Sequence, residues 1–354
     1  MEKKFGNFKD CLEHLQFDST QRIGRRNKYP DDDEYLFPLC DPFSVDETKI
    51  MLSKAYRRME RKTQVFYSRR NPHSRTRIIH TAESAALASI ISETLGLNAS
   101  LCRAIAFAHD IGHVPFGHLG ERFLSKKLGV KFKHNAFAVM VSEFVERSGK
   151  GLNLCYETLE GVYHHSGGID NFNEEDLPQE YLVVKIADKV AYTLADLNDA
   201  IRLRFLKEPP SVFKELGKNQ RQRTENILLA LFEESCEEGK VSFKECKESQ
   251  VFKEARSFLF ENVYAMADKE VDMNVLEDAY TFLEETKQFK GNDPAISFAF
   301  LTESEIESLS LMKRKGEDSD LIERMGISEM LPMETSFSDL ASFPFRKEEF
   351  SKAK

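Results

Sequence analysis

The stretch from Ile105 to Glu121 reads IAFAHDIGHVPFGHLGE, and its second half carries His109, Asp110, His113, His118 and Glu121. Imidazole and carboxylate are the ligands that borderline and hard divalent ions share. Gly112, Pro115 and Gly117 interrupt the preceding apolar helical run, where the backbone must turn around such a site. An isolated His-Asp pair is more often a surface or capping pair than a metal site, so further ligands are required. His80 and Asp188 lie in two other apolar helical segments and complete a mixed nitrogen and oxygen set. Beyond Asp188, Tyr192 and Asp196 follow at four-residue intervals, which places all three on one helix face. Acid, aromatic and acid on a largely apolar helix is hard to explain by packing, because a buried carboxylate is costly unless paired or metal-bound. The plainer alternative makes Asp196 and Asp199 part of a solvated face.

Those side chains must be positioned by helices. Residues 1–43 look irregular, with Pro30, Pro38, Pro42 and the run Asp31 to Glu34 blocking a long helix. Helical patterning begins at Ser44, and helices are expected over Thr76–Leu95 and Leu101–Asp110. Further helices are expected over Gly120–Leu128, Asn135–Arg147, Thr158–His165 and Tyr181–Phe205. Amphipathic segments near Thr224–Glu238, Phe252–Met266 and Val275–Phe289 follow. No strand-like alternation is sustained, so the expected class is all-α. The organisation is an irregular segment 1–43, a core of residues 44–206, and a helical region 207–354 that completes the fold and offers oligomer contacts. With His80, His109 and Asp188 on three helices, packing those helices together brings the ligands to one centre, as inward-facing ligands do in bundles.

Composition bounds the rest. Hydrophobic residues make up 41% and charged residues 31% of 354, which suits a globular chain with a sizeable core. No apolar run approaches membrane-spanning length, and the N-terminus is too polar for a secretory signal. Six scattered cysteines without CxxC spacing read as reduced thiols of a cytoplasmic protein. A net charge of −9 argues against a general nucleic-acid binder, but Met51–His80 concentrates Lys and Arg. Such a segment beside a metal site suits a small polyanionic substrate; a solvated helix face is the commoner meaning of clustered charge.

Several stretches together resemble one family. KAYRRMERKTQVF from Lys54, RTRIIHTAES around His80, HDIGHVPFGHLGE, FKHN, LNLCYETLEGVYHHSG, IADKVAYTLADLNDA and FLFENVY follow the order of the HD-domain superfamily. Within it, they are similar to the bacterial dGTPase-type deoxynucleoside triphosphate triphosphohydrolases, relatives of the animal sterile-alpha-motif HD enzymes. The resemblance covers about residues 44–264. It implies an HD-domain helical bundle with additional C-terminal helices, and a divalent ion (Mn²⁺, Mg²⁺ or Fe²⁺) held by His80, His109, Asp110 and Asp188. It makes His118 and Glu121 the catalytic pair, and has His113 and His134 facing the phosphates or the attacking water. Arg77 and Lys189 match phosphate-contacting residues, Tyr192 and Asp196 match residues that close on the deoxyribose, and Gln64 matches one that reaches sugar or base. The implied reaction cleaves a deoxynucleoside triphosphate, dGTP first, into deoxynucleoside and inorganic triphosphate. A homo-oligomer is implied, and an activating nucleotide or single-stranded DNA is a further possible partner. The apolar stretch Ala295–Leu301 is a candidate subunit contact. One departure stands out: after His134-Asn135 the chain reads Ala136-Phe137-Ala138, without the family's glutamine.

Two other readings compete. One is an HD phosphohydrolase acting on nucleoside monophosphates or cyclic nucleotides. The other is a non-catalytic oligomer that binds nucleotide or single-stranded DNA. The remaining histidines, His14, His73, His164 and His165, read as surface or helix-end residues, with a phosphate-facing role for His164 or His165 the minority view.

Overall fold

The computed structural model describes residues 8–26, 39–67, 71–167, 177–285, 294–316 and 347–351. The acidic run Asp31–Glu34, and the end of the helix expected to reach Phe289, lie outside those residues. Among them no strand occurs, only isolated bridges Arg25–Cys155 and Thr63–Thr76, and the class is all-α as expected. No helix among the described residues is long and apolar enough to cross a membrane.

The site rests on helices α1 (Pro42–Met51), α2 (Lys54–Arg58), α3 (Arg77–Leu95), α4 (Ala99–Ala108), α5 (Gly117–Leu128), α6 (His134–Met140), α7 (Tyr156–His164) and α8 (Gln179–Arg202). The central one is α8. It starts after Pro178 and buries residues on all sides, from Tyr181 and Val183 through Ile186 and Ala187 to Leu197 and Ala200. A helix apolar around most of its circumference belongs inside a core. Accordingly α8 packs against α3, α4 and α7, and α3 packs along α4. Asn98 caps α4 by accepting the amide of Leu101 at 3.0 Å, and Gly96 ends α3 in a left-handed conformation that a glycine adopts without penalty.

Two expected helices are interrupted by widened turns. The one expected over Asn135–Arg147 is α6 followed by a widened π turn, Val141–Val145. The segment expected over Phe252–Met266 is α11 (Lys247–Leu259), a π turn at Phe260–Tyr264, and α12 (Ala265–Asp268). π turns recur at functional sites because they re-aim side chains within a helix.

Residues 8–26 form a strap over the bundle. The carboxylate of Glu180, at the start of α8, accepts the amides of Phe17 and Asn98, each at 2.9 Å. Glu157 accepts the amide of Ile23 at 2.6 Å. Cys11 of the strap is joined by a disulfide to Cys236 of α10 (Gln220–Glu238). This corrects the expectation of six reduced thiols: the two cysteines are far apart in sequence, and only the folded chain brings them together. Cys40, Cys102, Cys155 and Cys246 form no disulfide.

The C-terminal region closes the core. Its helices include α9 (Ser211–Leu216), α13 (Met273–Glu285), α14 (Pro294–Phe300), α15 (Glu303–Lys315) and α16 (Lys347–Ser351). The stretch Ala295–Leu301, expected to be too exposed for a single chain, is buried within it. Phe298 meets Phe123 of α5 at 5.2 Å between ring centres, and Phe300 meets Phe137 of α6 at 5.2 Å. Its apolar side chains are therefore satisfied inside the subunit.

Candidate active site

Helix α4 ends at Ala108, and His109 and Asp110 begin the turn that leads to α5. At Gly112 an added Cβ would lie 2.2 Å from the amide of Ala138 and from the carbonyl of His134. Only the missing side chain lets this turn approach α6 so closely. The turn finishes at Phe116, which takes a left-handed backbone (φ 60°) that bulky residues rarely adopt. Its amide donates to the carboxylate of Glu303 at 3.1 Å, and the same carboxylate accepts Thr63 N–H and Oγ1–H, each at 3.0 Å. Lys62 Nζ donates to the carbonyls of His113 (2.5 Å) and Ala299 (3.0 Å). Strained geometry beside function persists where the surroundings over-determine it, as they do here.

His80 from α3, His109 and Asp110 from the turn, and Asp188 from α8 converge. His80 Nε2 lies 3.0 Å and His109 Nε2 3.5 Å from Asp188 Oδ1, and His109 Nε2 is 3.3 Å from Asp110 Oδ1. The Nδ1–H of His109 donates to the Ala106 carbonyl at 2.6 Å. A carbonyl only accepts, so that nitrogen carries a proton and Nε2 is the atom turned to the centre, the orientation of a metal-bound histidine. Nε2 of His109, though buried, has no hydrogen-bond partner. The ligand atoms of His80, His109 and Asp110 all lie within 4.8 Å of one another. This donor set fits a divalent ion. Burial opposes ionisation of Asp110 and Asp188, yet their carboxyls are held well below the usual range. The neighbours responsible are His109, His113 and Arg77 for Asp110, and His109 and His80 for Asp188.

A second group adjoins the first. Glu121 Oε1 lies 2.6 Å from His134 Nδ1, and its Oε2 lies 3.3 Å from His118 Nδ1. His113 stacks on His134 with ring centres 3.9 Å apart, and its Nε2 is 3.2 Å from Asp110 Oδ1. Burial, then Arg77 and His134, push the His113 imidazole well below its ordinary value, so it is neutral. His118 is 59% exposed and hangs at the rim of the cavity.

Both groups open into a cavity of about 500 Å³, a size suited to a small ligand. All thirteen residues singled out in the sequence belong to this site, and among them only His109 does not itself line the cavity. Arg77 Nη1 donates to Asp110 Oδ2 at 2.9 Å, and its Nη2 donates to the Gln64 carbonyl at 3.1 Å. Burial, then Arg256 and Lys185, lower the Lys189 ammonium to about 7. The alternative that Asp196 and Asp199 form a solvated face is not met: they are 1% and 2% exposed. Asp199 holds Arg75, while Asp196 Oδ2 accepts the hydroxyl of Tyr264 at 2.8 Å. Its Oδ1 is buried without a partner. Burial raises the Asp196 carboxyl to about 7, although the Tyr264 bond opposes this.

Several site residues escaped the sequence reading. His165, read as a helix-end residue, is buried in the site; its Nδ1–H donates to the Val162 carbonyl at 2.6 Å, and its Nε2 is 3.1 Å from Nε2 of His134. Arg256 donates to the hydroxyl of Tyr192 from Nε (2.9 Å) and Nη2 (2.6 Å). Arg256 and Tyr264 come from beyond Pro210, where amphipathic spacing alone marks no chemistry. The basic segment Met51–His80 is also used differently than expected. Arg58, Lys62 and Arg75 bind Glu305, backbone carbonyls and Asp199, and of this segment's cations only Arg77 lines the cavity among the described residues. His14 and His73 are exposed, as expected.

A family described as the HD domain matches residues 77–193. Among curated proteins, the chain is similar to three called deoxyguanosinetriphosphate triphosphohydrolase-like protein. That of Clostridium tetani is 39% identical over 63% of this chain and 66% of its own length. That of Caldanaerobacter subterraneus is 40% identical over 69% of this chain and 73% of its own. That of Clostridium perfringens is 39% identical over 70% and 72%. These matches take in the turn, the helices around it and the converging ligands, and the chain belongs to the dGTPase-type family of HD-domain phosphohydrolases.

Proposed function

We propose that this protein hydrolyses deoxynucleoside triphosphates, dGTP foremost, to deoxynucleoside and inorganic triphosphate in the cytoplasm, with a divalent ion at His80, His109, Asp110 and Asp188. The observation that carries the reading is one cavity that presents both cations and a buried hydroxyl acceptor beside the ligand cluster. Arg77, Lys189 and Arg256 line it, and so does Asp196, whose Oδ1 is buried without a partner. The relatives' names supply the substrate, dGTP.

A bound Mn²⁺, Mg²⁺ or Fe²⁺ would polarise the α-phosphoryl group and lower the pKa of water at the site. The chain's own residues do the rest. Arg77, Lys189 and Arg256 offset the charge of the triphosphate, and the lowered Lys189 gains its proton as the anion enters. His118, steadied by Glu121, donates a proton to the departing 5′-oxygen, a task imidazole performs well near neutral pH. Neutral His113, stacked on His134 and beside Asp110, takes the role of facing the phosphates or the attacking water. Asp196 accepts the 3′-hydroxyl, and Tyr192 leaves little room for a 2′-hydroxyl. Gln64, whose Oε1 is buried without a partner, lines the same cavity and is the residue assigned to sugar or base. A homo-oligomer, and activation by nucleotide or single-stranded DNA, belong to the same reading through the family resemblance.

Incubating purified protein and metal with a nucleotide panel tests it. Deoxynucleoside and triphosphate should appear together, without diphosphate or monophosphate, and ribonucleotides should react more slowly. Consumption of monophosphates to nucleoside and phosphate would replace this reading with a nucleotidase.

A further inference from the structure

The segment from α11 to α12 presents Arg256, Phe260, Tyr264 and Asp268 to the cavity at four-residue intervals. The order matches a nucleotide laid along it. Arg256 donates to the hydroxyl of Tyr192, and Tyr264 donates to Asp196; in the proposed reading Arg256 meets the triphosphate across Tyr192, and Tyr264 borders the sugar. One turn further, past the sugar, the cavity wall is Asp268, and Arg122 Nη2 of α5 donates to its Oδ2 at 2.6 Å. Phe260, between Arg256 and Tyr264 in this order, is 45% exposed, with its ring centre 4.9 Å from that of Tyr264. A large exposed aromatic ring at a cavity mouth is a surface on which a planar base can lie.

From this order we infer that the Arg122–Asp268 pair reads the base and selects guanine. The Watson–Crick edge of guanine offers two adjacent donors, N1–H and N2–H, beside the acceptor O6. A carboxylate takes both donors, and a guanidinium next to it donates to O6. Adenine reverses the pattern: its N1 is an acceptor that would face the carboxylate, and its 6-amino group is a donor that would face the guanidinium. Cytosine and thymine are shorter and do not reach the same pair from the same sugar position. The inference rests on the proposed triphosphohydrolase reading and adds the source of its base preference.

The test measures kcat/KM for dGTP, dATP and dITP in the intact protein with metal. Deoxyinosine triphosphate keeps O6 and N1–H but lacks the 2-amino group. It should react on the order of tenfold less efficiently than dGTP, the worth of one hydrogen bond to a charged acceptor. Asp268→Asn should lower the dGTP:dATP ratio by about tenfold to a hundredfold and bring dITP level with dGTP. Arg122→Ala should lower the dGTP:dATP ratio while leaving dGTP preferred over dITP. Triphosphate release with unchanged base ratios in both variants would overturn the inference and leave the hydrolase reading standing. Absence of triphosphate release from every deoxynucleotide would overturn the hydrolase reading, and this one with it.

Discussion

Glu121 binds two histidines at once: His134 Nδ1 at 2.6 Å through one carboxylate oxygen, and His118 Nδ1 at 3.3 Å through the other. The carboxylate is held well below its usual range because His134 and His118 outweigh the opposing effect of burial. A single ionised group therefore orients an exposed imidazole at the rim and a buried one beside the ligand cluster. His118→Ala is expected to lower kcat by roughly 10²–10⁴-fold while nucleotide binding persists, the usual effect of losing a positioned acid. A binding titration beside single-turnover rates checks the split. Lost affinity with a normal rate per bound substrate would make His118 a substrate ligand instead.

His109→Ala and Asp110→Ala each remove a donor from the converging set. Both should lose bound metal and turnover together. Added Mn²⁺ should raise the melting temperature of the wild-type protein but not of either variant, since only a site present in the folded state gains stability from the ion. Elemental analysis after dialysis gives the independent reading. Retained metal with full activity would exclude the residue from the site.

Gly112→Ala should destabilise the protein by at least about 3 kcal/mol, because the new methyl group meets backbone atoms of α6 rather than a movable side chain. Chemical denaturation measures the loss. A stable, active variant would mean that α6 can retreat from the turn.

Buried Glu143 accepts the amide of Leu154 at 3.1 Å, and burial raises its carboxyl to about 7 even though that bond opposes the shift. Between pH 4.5 and about 7 the unfolded chain ionises this group while the folded chain keeps it protonated. Its effect on stability thus worsens as pH rises through that window and is constant above it. Glu143→Gln keeps an acceptor for Leu154. It should raise the melting temperature at pH 8, with the gain shrinking toward pH 5. A gain independent of pH would refute the linkage.

Alkylation in denaturant without reductant should label four thiols, and six after reduction, if Cys11 and Cys236 are paired. Intact mass reads the difference. Six labels before reduction would show that the strap is held by its hydrogen bonds alone.

Spacing and residue type were enough to mark the all-α class, the turn after α4 and every ligand of the converging set. Helix periodicity and the Gly-Pro breaks are local properties of the chain, and a His-Asp turn between helices carries its chemistry in the letters themselves. The face Asp188, Tyr192, Asp196 was equally legible, because an acid on an apolar helix face conflicts with burial unless something pairs with it. What pairs with it was not. Tyr264 and Arg256 lie more than sixty residues beyond Asp196 and Tyr192, and nothing in an amphipathic pattern says which polar residue faces inward. His165 looked like a helix end because burial, not sequence, makes it a member of the site. The same holds for Lys62 and Glu303, which hold the carbonyl of His113 and the amide of Phe116 from opposite ends of the chain. Long-range packing decides which charges are solvated and which are held, and so it alone decided that the basic segment braces the turn after α4 and that Ala295–Leu301 is core. Local spacing determines what a residue can do, and the tertiary structure determines which partner lets it do so.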